Sequence, residues 1–262
     1  MNKSKSFLGY NRALITPILS SNTEVELINE IQECLEEGAE AFTLLIERLP
    51  LELRREEKLK KFFTAMQDKP IYVACYENGD VVRETDVERA EHLVRAIEWG
   101  ATMVDIRGDM FASCETEITF DEYAVKKQKQ LVQRIHGMGG EIIMSTHFRK
   151  NGAFSFLPKE KVVSVAKAQE ERGTDIVKII TNANNEIELE QNFQTLLTLK
   201  KEIKKPTVFL CNGTHCIRHR FAAPLIGSPI AFTKAERYIT PNLPYPSNRK
   251  MKELFDCLNY QL

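Results

Sequence analysis

The 262-residue sequence contains no apolar run approaching the roughly 20 residues that a membrane-spanning helix needs, which argues against a helical membrane protein. It has no charge excess either. With 36 Lys and Arg against 37 Asp and Glu the net charge is −1, so nothing marks it for nucleic acid or an anionic membrane. The six cysteines (34, 75, 114, 211, 216 and 257) never form a C-x-x-C pair, and scattered thiols suit a reducing cytoplasm better than a disulfide scaffold. The G-x-G-x-x-G turn of an open dinucleotide-binding sheet is missing after the first candidate strand. No Pro-, Gly- or Ser-rich linker divides the chain, so one domain over residues 1–262 is expected. The apolar part of residues 1–21 is broken by Asn11 and Arg12, and no signal peptide is expected.

What is present is a repeat of apolar segments, each followed by a charged stretch of helical period. The segments are ALITPIL (13–19), AFTLLIERL (41–49), PIYVACY (70–76), TMVDIRG (102–108), EIIMSTH (141–147), DIVKIIT (175–181), PTVFLCN (206–212) and PIAFTKA (229–235). Between them lie amphipathic stretches such as 23–38, which opens on a Thr-x-x-Glu capping box and closes on glycine, and 86–100. EEGAE, EWGAT, MGGE and ERGTD each end a helix on glycine and lead at once into a strand, as the αβ loops of a repeating unit do. Eight such units predict a parallel sheet closed into a (β/α)8 TIM barrel. The stretch ITPNLPYPSN (239–248) reads as a loop over the active face.

In such a barrel function sits at the C-terminal ends of the strands. The candidates there are Glu47 and Arg48, Tyr76, Asp105 and Arg107, Ser145 and His147, Lys178, and the segment CNGTHCIRHR (211–220). Lys178 is the odd one, a lysine among Ile176, Val177, Ile179 and Ile180. Period two places it on one face with Ile176 and Ile180, and places His147 with Ser145 on the neighbouring strand. A lysine at a strand end can also snorkel to water, and a histidine can be satisfied within a core. If both face inward, an apolar wall favours the neutral amine, which attacks a carbonyl to give an imine. The protonated imine acidifies the adjacent C–H, and a histidine can remove that proton.

These residues resemble type I 3-dehydroquinate dehydratase, a Schiff-base (β/α)8 barrel of the shikimate pathway and of aromatic amino acid biosynthesis. IIMSTHF (142–148) is similar to its strand-five signature, DIVKII (175–180) to strand six, and RHRFAAPLIGSPIAF (218–232) to the segment leading into strand eight. The resemblance implies His147 and Lys178 as catalytic residues, Arg220 as the receiver of a substrate carboxylate and Phe232 as an aromatic wall. It also implies a cytoplasmic lyase acting on a keto acid without a cofactor, and a homodimer. The chain departs from the family elsewhere. The strand-two Glu-x-Arg positions fall on Leu45 and Glu47, Tyr76 stands at the strand-three arginine, and only Glu77 or Asp80 is at hand for the glutamate that orients the histidine. DIRGD replaces Asp-x-Glu, and the closing flap reads ITPNL. Glu47 and Tyr76 are therefore expected to bind an altered substrate.

Two rival enzymatic and binding roles use the same residues: a class I aldolase-like lyase on another keto substrate, and a catalytically silent ligand-binding relative. Arg218, His219 and Arg220 lack a glycine-rich nest beside them, which favours a carboxylate over a phosphate. Cys211, His215, Cys216 and His219 are zinc-type ligands close in sequence, but without a standard spacing, and no metal is expected.

Overall fold

The computed structural model describes residues 5–76, 84–241 and 243–260. The strands are β1 (Leu14–Pro17), β2 (Phe42–Leu45), β3 (Ile71–Ala74), β4 (Met103–Arg107), β5 (Glu141–His147), β6 (Arg149–Lys150), β7 (Ala153–Phe154), β8 (Ile176–Asn182), β9 (Thr207–Asn212) and β10 (Ile230–Thr233). The helices are α1 (Glu24–Glu36), α2 (Glu56–Ala65), α3 (Asp86–Glu98), α4 (Glu122–Gly137), α5 (Lys159–Glu171), α6 (Glu186–Glu202), α7 (Cys216–Ile226) and α8 (Asn248–Cys257). Each of the eight expected segments matches one strand, with β8 running one residue past its segment to Asn182. The antiparallel β6–β7 hairpin is an addition that the period did not reveal, since each of its strands is two residues long.

Six parallel strands run in the order β2-β3-β4-β5-β8-β9, and β1 pairs with β10. A bridge from Ile18 to Thr43 joins the two ladders, completing the (β/α)8 order with an open seam between β9 and β10 among the described residues. Helix α7 packs on both strands across that seam.

Local chemistry places the elements. Thr23 caps α1 by accepting from Glu26 N, and Thr85 with Glu88 forms a full capping box on α3. Gly38 and Gly100 follow their helices at φ +94° and +115°, a region where a side chain would be strained.

Alternation then sorts the strand side chains. On β3 and β4, Ile71, Val73, Val104 and Ile106 join one apolar cluster with helix residues Leu93, Val94, Leu131 and Ile135. Tyr72, Ala74 and Met103 point the other way and join the cluster containing Ile143, Ile176, Val208 and Ile230. Burial on both faces explains the nearly continuous apolar runs. It also makes the inward polar residues conspicuous: Tyr72, Asp105, Ser145 and Lys178 are all buried.

Candidate active site

Lys178 is the third residue of β8, and its side chain is 7% exposed. Nζ donates to Tyr76 Oη at 2.6 Å, Tyr72 Oη at 2.9 Å and Asp105 Oδ2 at 3.1 Å. Both phenols donate to the same carboxylate oxygen, and their hydroxyls lie 3.2 Å apart. The rings of Tyr72, Tyr76 and Phe232 surround the ammonium at 5.3 to 5.4 Å from their centroids. The apolar wall expected around Lys178 is thus corrected to an aromatic cage with a carboxylate in it. A single strand's pattern could not show this, because the partners come from β3, the residues just after it, β4 and β10. Burial alone would raise the Asp105 carboxyl, but the Lys178 ammonium and the hydroxyls of Ser145, Tyr72 and Tyr76 outweigh it and hold it below the ordinary carboxylate value. Stranding one charge of a buried pair of this kind costs about 3–5 kcal/mol.

His147 ends β5, one strand over, and packs edge-on against Tyr76 with centroids 5.0 Å apart. Its Nδ1 lies 3.1 Å from Glu117 Oε2, and its backbone N–H donates to the same oxygen at 2.8 Å. Because a carboxylate only accepts, Nδ1 carries the proton and Nε2 is left as the basic nitrogen. Burial depresses the imidazole below its usual 6.5, helped by the Lys178 charge and opposed by Glu117, so it is neutral near pH 7. The Glu117 carboxyl is raised by burial, but His147 and Arg107 bring it below the ordinary range. Glu117 reaches this place from a turn at φ +48°, its carbonyl accepting from Thr146 Oγ1 at 2.9 Å. A Cβ on Gly108 would meet that carbonyl at 2.7 Å, so the glycine is what allows the turn to close. Glu77 and Asp80, the expected orienting candidates, lie outside the described residues. Glu117 supplies the carboxylate from an aperiodic loop, where strand logic gave no signal.

Lys178, His147, Arg220, Phe232, Glu47 and Tyr76 all line one cavity of about 480 Å³. Arg220, buried in α7, is fixed by Nε donating to Cys211 O at 2.9 Å and Nη2 to Asn212 Oδ1 at 2.5 Å. Its guanidinium stacks 4.6 Å over the ring of Tyr245, which the 239–248 loop contributes to the cavity. On the opposite side Arg107 pairs with Asp109 at 2.8 Å, and Arg149 stands 3.7 Å from Glu117.

Strand two brings more residues to the cavity than period two alone allows. After Leu45 the chain turns into a 3₁₀ helix, Ile46–Arg48, and period two gives way to about three residues per turn. Leu45, Glu47 and Arg48 all reach the cavity as a result. Glu47 is 6% exposed with Oε2 unpartnered, and burial pushes its carboxyl up to about 7.

The basic trio after β9 divides. Arg218 is exposed and pairs with Glu186 at 2.5 Å, while His219 is enclosed by Phe193 and Phe209 at 5.1 and 5.5 Å. Burial lowers His219 to about 4, and both its ring nitrogens lack partners. Successive helix residues point about 100° apart, so Arg220 faces the cavity and its neighbours do not. Among the described residues no three His, Cys, Asp or Glu side chains converge as a metal site.

A search of curated proteins finds no match to the sequence. Solved structures do match in fold. The chain superposes on 3-dehydroquinate dehydratase from Geobacillus kaustophilus with a TM-score of 0.81 at 13% identity, covering 98% of this chain and 96% of that one. Type I 3-dehydroquinate dehydratase from Clostridium difficile, solved with covalently modified comenic acid, gives 0.80 at 16% identity, with 97% and 95% covered. The deoxyribose phosphate aldolase of Aeropyrum pernix is more distant, at 0.53 and 14% identity, with 94% and 90% covered. The family model for type I 3-dehydroquinase matches residues 15–261, nearly the whole barrel, and the chain belongs to that family.

Proposed function

We propose that this protein is a Schiff-base hydro-lyase that dehydrates a cyclic keto acid, either 3-dehydroquinate to 3-dehydroshikimate or an analogue with a different hydroxyl pattern. The observation that carries this reading is the meeting of Lys178, His147 and Arg220 around one cavity. Arg220 is a preformed cation for the carboxylate, with Phe232 and Tyr245 bounding the ring. The Lys178 amine attacks the ketone carbon and water leaves, giving a protonated imine that withdraws electrons from the adjacent carbon. Neutral His147, aligned by Glu117, removes the proton from that carbon. The same imidazolium then protonates the departing hydroxyl, a role worth roughly 10²- to 10⁴-fold. Hydrolysis of the imine returns the lysine.

Glu47, Arg48 and Tyr76 line the part of the cavity that would meet the substrate hydroxyls, and their departure from the family pattern motivates the altered substrate. The covalently modified comenic acid of the C. difficile relative supports capture of a cyclic keto acid. A biosynthetic dehydratase of this kind is expected to work in the cytoplasm, as one domain. The test is borohydride treatment with 3-dehydroquinate, followed by peptide mass spectrometry. A reduced adduct on Lys178, absent from Lys178→Ala, is the expected result; no adduct with 3-dehydroquinate or other cyclic keto acids rejects the proposal.

A further inference from the structure

We propose that Tyr76 is a catalytic residue that, with Asp105, carries the two protons Lys178 sheds while the imine forms, leaving His147 for the later C–H and C–O chemistry. This rests on the reading of Lys178 as the imine-forming lysine.

Proton arithmetic sets the requirement. The ammonium carries three N–H bonds and the protonated imine one, so two protons pass from nitrogen to the carbonyl oxygen, which leaves as water. Some group touching Nζ must hold each proton in transit. The groups hydrogen-bonded to Nζ among the described residues are Tyr76 at 2.6 Å, Tyr72 at 2.9 Å and Asp105 at 3.1 Å. His147 is not among them; its Nδ1 is committed to Glu117, and it meets the cluster through the edge of the Tyr76 ring.

A phenol can accept from one neighbour while donating to another, so it can pass a proton without ionising. Tyr76 Oη accepts from Lys178 and donates to Asp105 Oδ2. Its own proton stays on, since burial and the Asp105 charge raise the phenol well above its ordinary value. Asp105 is the natural terminus: its Oδ2 accepts from Tyr76, Tyr72 and Lys178 at once, and the Lys178 charge with the surrounding hydroxyls holds the carboxyl below its ordinary value, so a base stands at the end of the path. Tyr72 makes the same contacts and also borders the cavity but is only 1% exposed, whereas Tyr76 is half-buried and presents more surface there.

The steps balance. One N–H bond breaks as a Tyr76 O–H forms, and the original Tyr76 O–H breaks as Asp105 is protonated. The neutral amine attacks, the C–N bond forms, and the carbonyl π pair moves to oxygen, which takes the proton back from Asp105 through Tyr76. The nitrogen of this carbinolamine then loses a second proton along the same path. Its lone pair expels the hydroxyl, which takes that proton and departs as water. Asp105 ends as the carboxylate it began as, and the single positive charge ends on the imine.

Rapid-mixing borohydride capture with 3-dehydroquinate measures the step directly. Tyr76→Phe is expected to slow adduct formation by about 10²-fold while still unfolding cooperatively in urea, and to slow it far more than His147→Ala does. Wild-type capture should also show a normal solvent deuterium isotope effect, a readout that needs no variant to fold. Tyr76→Phe capture at the wild-type rate, a greater loss in His147→Ala, or the absence of the isotope effect overturns the relay while leaving the lysine imine intact. A wild-type protein that forms no adduct at all overturns the imine reading itself, and the relay with it.

Discussion

Two buried lysines stand at inward positions of this barrel, and they differ in almost everything but burial. Lys178 on β8 and Lys234 just past β10 are each 6% exposed. Lys178 borders the cavity and pairs with Asp105 among phenols. Lys234 does not line the cavity; it donates to Ile18 O at 3.1 Å and to Ser20 Oγ, clipping the end of β10 to the chain that leaves β1. Both of its hydrogen-bond acceptors are neutral, and burial with the nearby Arg48 charge lowers it to about 8. Burial therefore does not single out the reactive lysine, since Lys234 shares it. What distinguishes a nucleophile here is access to a cavity and a route for its protons. Burial by itself marks neither.

The widest separation between the two is in covalent capture. Lys178→Ala should lose the borohydride adduct completely, and Lys234→Met should keep it at the wild-type level; an adduct mapped to Lys234 reverses the comparison. Next comes stability. Asp105→Asn leaves the Lys178 ammonium buried without its counter-charge and should cost about 3–5 kcal/mol in urea unfolding, an effect with no equivalent around Lys234.

The pH dependence sharpens the contrast further. Lys234 has a folded value below its unfolded 10.5, so the unfolded chain binds the extra proton. Wild-type stability relative to Lys234→Met should accordingly rise between about pH 8 and 10.5, by up to about 3 kcal/mol. A flat difference over that window contradicts the clip. The smallest effect concerns the proton carrier beside Lys178. Glu117→Gln removes the charge that raises His147, so kcat should fall by roughly 10²-fold and the acid limb of its profile should move to lower pH. An unmoved limb argues against Glu117 as the orienting residue.

The two sides of the cavity were unequally legible. Period two turned His147 and Lys178 toward the cavity they line, because β5 and β8 run regularly for seven residues each. Where regularity stops, Glu47 and Arg48 were still named as strand-end candidates, but the turn that carries them and the loop that carries Glu117 were not foreseen. The 3₁₀ turn after Leu45 brings Glu47 and Arg48 together into the cavity, and Glu117 arrives from a loop that closes only because residue 108 has no side chain. The residues Cys211, His215, Cys216 and His219 teach a related point: nearness along the chain says nothing about convergence once a helix fans its side chains round an axis.

The amino-acid sequence by itself determined the eightfold alternation, the barrel and the strand ends that would bear chemistry, because burial on both faces and the helix-ending glycines are written in local residue order. Tertiary structure alone decided which groups touch. Tyr72, Tyr76 and Asp105 lie 106, 102 and 73 residues from Lys178 and meet it only when parallel strands are laid side by side, a spacing no local period encodes.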